Sequence, residues 1–257
     1  MRKPLFIGNW KMNLTGTEAT ELAKKITLAV GDIVDVEVAI APSYTSMRPV
    51  SSIIAASNIA LASQDLHWED KGPFTGEISG AMLAELRVKH VIVGHSERRR
   101  AFGETDVMIN MKIDAALRNG LIPVACLGEK GEERLAGKTI TVVRKQLNAL
   151  LEGITPEQAH NISIAYEPVW AIGTGHNATP EQAQQVHKYL RDQLAKRFGE
   201  EVAKDMHILY GGSVRAENIY DLMMQPDVDG ALVGSSSLDA EVFAGIVRYR
   251  ERKTAAV

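Results

Sequence analysis

The chain has one cysteine, Cys126, which excludes an intrachain disulfide framework and fits a reducing compartment. Neither sign of charge is in excess. Its 29 basic residues face 32 acidic ones, a net of −3, which argues against a surface for nucleic acid but leaves room for a small phosphate site. No apolar run approaches the roughly 20 residues of a membrane span. The start, Met1-Arg2-Lys3-Pro4-Leu5, leads only into a short apolar stretch broken by Asn9 and Lys11, which is no signal peptide. No Gly-x-Gly-x-x-Gly follows that stretch, and the seven histidines show neither His-x-x-x-His nor His-x-His spacing, so no metal site is expected. No linker, low-complexity segment or charge block divides the 257 residues. The expectation is one domain over 1–257, globular and cytoplasmic.

What is present is a regular alternation. Short apolar runs at 5–10, 36–41, 59–64, 90–94, 122–127, 162–167, 207–210 and 230–234 read as strands, with longer amphipathic stretches between them. Thr17–Val30 places Leu22, Ile26 and Ala29 on one side. Thr179-Pro180-Glu181-Gln182 reads as an N-cap, a first-turn proline and a capping-box partner, followed by an Ala183, Val186, Leu190, Leu194 stripe. Thr155-Pro156-Glu157-Gln158 repeats that start, and Asn119-Gly120 is a helix stop. Eight strand–helix units at roughly 30-residue spacing match a closed parallel (β/α)8 barrel, with an open doubly wound sheet as the rival. Segment 64–79 is the longest irregular insertion and carries Trp68 and Phe74, for either a partner surface or its own barrel.

Tyr166–Gly175 is the stretch around which the rest is organised. An apolar run delivers Glu167 to a strand end, Pro168 forbids a further ladder donor, and Gly173 and Gly175 free the loop that follows. A base beside a glycine-containing flap suggests chemistry under a lid, although an acid before an ordinary loop reads the same way. Barrel strands open their C-termini on one face, which gathers Asn9, Lys11, Gln64, His95, Glu97, Glu129 and Glu167 with Gly211-Gly212-Ser213 and Gly234-Ser235. The two last turns offer backbone N–H groups to a phosphate. Lys11 can pair with Glu97, face a substrate, or both. His95 can cap the Ser-Glu-Arg-Arg turn or act chemically; there the helix dipole would disfavour its protonation. Cys126 reads as a packed thiol.

These residues fall in four longer motifs. Asn9-Trp10-Lys11-Met12-Asn13, Gly94-His95-Ser96-Glu97-Arg98, Tyr166–Gly175 and Tyr210-Gly211-Gly212-Ser213-Val214 resemble those of the triosephosphate isomerase family, in order and spacing, across essentially the whole chain. The resemblance implies a TIM barrel that interconverts dihydroxyacetone phosphate and glyceraldehyde 3-phosphate without a metal or organic cofactor. It implies Glu167 as the base, neutral His95 as the carbonyl polariser, Lys11 as the stabiliser of negative charge and Asn9 as an orienting group. Gly173, Ser213, Gly234 and Ser235 would hold the phosphate through backbone N–H groups. Tyr210 and Glu129 would latch the lid, Glu129 meeting the Trp170 indole. A homodimer is also implied, with Thr75 of loop 64–79 near Lys11 and His95 of the other subunit and Arg98 as structural support.

Two departures stand out. The family's Gly-Gly-Ala-Ser-Leu is here Gly234-Ser235-Ser236-Ser237-Leu238, and its lid-ending Lys-Thr is His176-Asn177. They imply a weaker phosphate grip and altered lid kinetics. The rival functions are another sugar-phosphate barrel enzyme, such as a metal-dependent epimerase or an aldolase with a Schiff base at Lys11, and a non-catalytic phosphometabolite-binding barrel.

Overall fold

The computed structural model describes residues 2–171 and 178–251. Eight parallel strands, β1 Leu5–Asn9, β2 Glu37–Ala41, β3 Ile59–Ser63, β4 Val88–Val93, β5 Ile122–Leu127, β6 Ser163–Tyr166, β7 Ile208–Tyr210 and β8 Gly230–Val233, close into a barrel in sequence order. Closure comes from β8 pairing back onto β1, with Leu5 opposite Gly230. An open sheet is thereby ruled out. Strand ends differ from the expected ones by a residue or two. β4 starts at Val88 instead of His90, and β6 stops at Tyr166, leaving Glu167 just past the strand. Its N–H still reaches the Leu127 carbonyl at 2.8 Å, so the main chain from which the side chain projects is fixed by the sheet.

The near-continuous apolar character of the strands follows from burial on both faces. Ile7, Ala39, Ala62, Ile92, Val124, Cys126, Ala165, Leu209 and Leu232 pack the lumen, while neighbours such as Phe6, Val38, Leu61 and Val91 pack against the helices. The lumen is a filled core, so a ligand can approach only at its ends. Helix Gly16–Val30 opens with a capping box between Thr15 and Glu18 and buries Ala19, Leu22, Ala23 and Ile26, with Ala29 half-buried beside them. Helix Pro180–Phe198 carries the expected Thr179–Gln182 box and buries its Ala183, Val186, Leu190 and Leu194 stripe. The Thr155 box starts a single turn, Pro156–Ala159. Asn119 ends Asp106–Arg118, and Gly120 follows at φ +70°.

Segment 64–79 divides its aromatics. Trp68 packs on the barrel core, and the His67 ring lies 4.3 Å from it and 4.2 Å from Phe74. Phe74 at the tip is 38% exposed, and its neighbours over 71–77 are exposed as well. Among the described residues no helix is long and apolar enough to cross a membrane.

Candidate active site

At the C-terminal mouth of the barrel lies a cavity of about 720 Å³, lined by Asn9, Lys11, His95, Ser213, Gly234 and Ser235 among others. Six of the expected site residues therefore share one wall system. Gly173, His176 and Asn177 lie outside the described residues.

Glu167 is set apart from that wall. It is 1% exposed and fully engaged: its Oε2 accepts the Ser96 N–H at 2.8 Å, and its Oε1 accepts the Ser96 hydroxyl at 3.2 Å. His95 Nε2 lies 3.0 Å from the same Oε1. The other ring nitrogen, Nδ1, accepts the Glu97 N–H at 3.3 Å as His95 caps helix Ser96–Ala101. An accepting Nδ1 places the proton on Nε2. The histidine thus caps the helix, as its sequence position allowed, and leaves a ring N–H facing Glu167. Its basicity departs from expectation. Burial, the largest single influence, penalises the imidazolium, but the charge and hydrogen bond of Glu167 together with the charge of Glu97 outweigh it, and the pKa is raised. The helix terminus is not the controlling neighbour while Glu167 rests here.

Lys11 is held in a strained backbone, with φ +53° in a non-glycine residue. Side chains clamp both of its main-chain groups. Asn9 Oδ1 accepts its N–H at 3.1 Å, and Gln64 Nε2 donates to its carbonyl at 2.7 Å. Its Nζ reaches Glu97 Oε1 at 2.7 Å while the residue lines the cavity, so ion pairing and an inward position coexist. Burial acts against the Glu97 charge, but Lys11 overcomes it and holds that carboxyl below its usual range.

Glycine is required where the base lies. A Cβ on Gly211 would come within 2.9 Å of Glu167 Cγ, and one on Gly128 within 1.7 Å of the Glu167 carbonyl oxygen. Beyond Glu167, buried Glu129 accepts the Trp170 indole N–H at 2.9 Å and the Tyr166 hydroxyl at 3.0 Å. The Arg134 guanidinium lies 4.1 Å above the Trp170 ring and 3.3 Å from Glu129 Oε1. Tyr210 is buried, and its hydroxyl senses the backbone of Ala178, where the described chain resumes. Arg98 bonds Asp65 and Glu104, both also bound by buried Lys112, which gives it a structural place. Cys126 is buried in the lumen, and burial pushes its thiol up, so it is packed and unreactive.

Sequence reasoning passed over Ser96 as a partner of Glu167, Arg134 as a partner of Trp170, and Arg100 and Arg215 on the cavity wall. The extra arginines carried a signal, a third basic residue after Ser96-Glu97 and one just past the Gly-Gly-Ser turn. Among the described residues no three His, Cys, Asp or Glu are grouped to hold a metal ion.

Comparison with known proteins points to one family. The triosephosphate isomerase family model matches residues 4–250. Triosephosphate isomerase of Carboxydothermus hydrogenoformans is 51% identical over 248 residues, covering 96% of this chain and 99% of that protein. The Citrifermentans bemidjiense enzyme is 47% identical, covering 98% and 100%. The crystal structure of triosephosphate isomerase from Bartonella henselae superposes with a TM-score of 0.87 at 39% identity, over 97% of this chain and 99% of that one. The chain belongs to the triosephosphate isomerase family.

Proposed function

We propose that Glu167, His95, Lys11 and Asn9 carry the interconversion of dihydroxyacetone phosphate and D-glyceraldehyde 3-phosphate, the isomerisation this family performs in glycolysis and gluconeogenesis. One observation carries the reading: a buried carboxylate, an imidazole of fixed tautomer and a clamped ammonium converge at one mouth, beside the turns after β7 and β8. Among the described residues the N–H groups of Ser213 and Ser235 have no acceptor, which suits them to a phosphate. Gly234 lines the same cavity, and Gly173, outside the described residues, is assigned to the phosphate by the family resemblance alone.

Glu167 leaves Ser96 and takes a proton from the carbon next to the carbonyl. The C–H electron pair becomes the carbon–carbon double bond and the carbonyl π pair moves to oxygen, forming an enediolate. His95 donates from Nε2 to that oxygen, then moves protons between the two enediolate oxygens, while Lys11 stabilises the negative charge. Glu167, whose new proton exchanges with solvent, then delivers a proton to the neighbouring carbon. Asn9 orients the substrate. Once Glu167 has left His95, burial and the Glu97 N–H favour the neutral ring. Apolar Val169 and Leu232 on the wall help exclude water, which would otherwise allow the enediolate to eliminate phosphate. Trp170, bound to Glu129, would anchor the lid that the family resemblance implies.

The chain acts as one catalytic domain over 1–257 and as a cytoplasmic homodimer. Support for the dimer comes from exposed apolar groups beside the catalytic segments: Met12 at 96%, Phe102 at 69% and Phe74 at 38% exposure. Loop 64–79 would bring Thr75 near the other subunit's copies of these catalytic residues. The chemistry is tested by running the reaction in deuterium oxide. A single base exchanging its proton with solvent puts deuterium on the product carbon. Product formed with no deuterium from solvent would point to direct hydride migration and sink this mechanism.

A further inference from the structure

We propose that Ser236 is a positioning residue that ties the two halves of the phosphate cradle together, an inference that rests on the functional reading above. The turn after β7 is fixed at three consecutive residues. Asn218 Nδ2 donates to the Ser213 carbonyl at 3.0 Å, and Asn218 Oδ1 accepts the Arg215 N–H at 2.8 Å. Both bonds lie within one loop. The third does not: Ser236 Oγ donates to the Val214 carbonyl at 2.8 Å, from the turn after β8.

The donor sits on a rigid base. Ser235–Leu238 forms a 3-10 turn in which Ser237 binds the Gly234 carbonyl through its N–H at 2.8 Å and through its hydroxyl at 2.7 Å. Ser235 takes no positive φ, so serine is accommodated there without strain. The Ser236 hydroxyl therefore couples a braced turn to its neighbour and sets the spacing between the Ser213 and Ser235 N–H groups. Donors held in place before the ligand arrives bind it without the cost of ordering them. Of the two outcomes the sequence allows for a serine in place of a small apolar residue, an added hydrogen bond or an unsatisfied hydroxyl, the structure shows the hydrogen bond.

The test compares wild type with Ser236→Ala and Ser236→Thr. It reads kcat and KM for glyceraldehyde 3-phosphate, inhibition by inorganic phosphate, and turnover of unphosphorylated glyceraldehyde. Ser236→Ala is expected to raise KM and the phosphate inhibition constant about fivefold, the effect of one neutral hydrogen bond. Turnover of glyceraldehyde stays at the wild-type level, and threonine, which keeps the hydroxyl, restores phosphate binding. Unchanged phosphate binding in Ser236→Ala overturns the proposal. So does an equal loss on glyceraldehyde, or a folded threonine variant that fails to rescue. A wild type that binds phosphate but does not isomerise would count against the functional reading instead.

Discussion

Glu167 rests where it cannot act, with Ser96 holding both of its oxygens and His95 sharing one. Its freedom to move depends on Gly211, where a methyl group would press on Cγ from 2.9 Å. Gly211→Ala is expected to lower kcat about 10²-fold, the scale of a 1 Å displacement of a reacting group, with circular dichroism unchanged. A variant with full kcat would free the base from this constraint. Removing the charge at Glu167 should also act on its neighbour. In Glu167→Gln the raising influence on His95 disappears while burial remains, so ring-nitrogen NMR should find a lower His95 pKa than in wild type. An unchanged value would assign the shift elsewhere. Sequence displayed the proposed catalytic residues because each ends or closely follows a strand. It did not display the partner of Glu167, since Ser96 lies 71 positions away and meets it only when the barrel closes.

The elements around the site are braced by charges that a linear pattern leaves unmatched. Lys112, on helix Asp106–Arg118, is 3% exposed and binds Asp65 at 2.6 Å and Glu104 at 2.5 Å. Burial pushes the Asp65 carboxyl up to about 6 despite the cations beside it. Lys112→Met removes the shared cation and is expected to cost about 3–5 kcal/mol in urea unfolding. The sign of its pH dependence follows from linkage. A folded pKa above the unfolded value of about 3.9 means the native state holds more protons, so stability falls as pH rises through that window. The variant should therefore be less stable at pH 8 than at pH 5, and the reverse order would contradict the assignment. Helix starts were legible at Thr155 and Thr179 because capping is local, whereas the Thr15 cap emerges only in the structure. The Lys112 network was not, because its members come from separate elements.

For the whole molecule, strand count and spacing anticipated the barrel, and pairing of β8 with β1 completes it. Assembly is less legible, since an exposed Phe74 tip marks a surface without naming its partner. Thr75→Arg is expected to shift sedimentation from dimer to monomer and to lower kcat about 10²-fold through misplacement of Lys11 and His95. A dimeric variant with full activity would remove loop 64–79 from the interface. The account as a whole rests on Glu167 as the base, and the direct measurement is the isomerase assay of wild type against Glu167→Asp with a chelator present. Wild type should interconvert the two triose phosphates, and the shortened carboxylate should lose about 10²-fold or more in kcat with little change in KM. An inactive wild type, or a Glu167→Asp variant as fast as wild type, would contradict it.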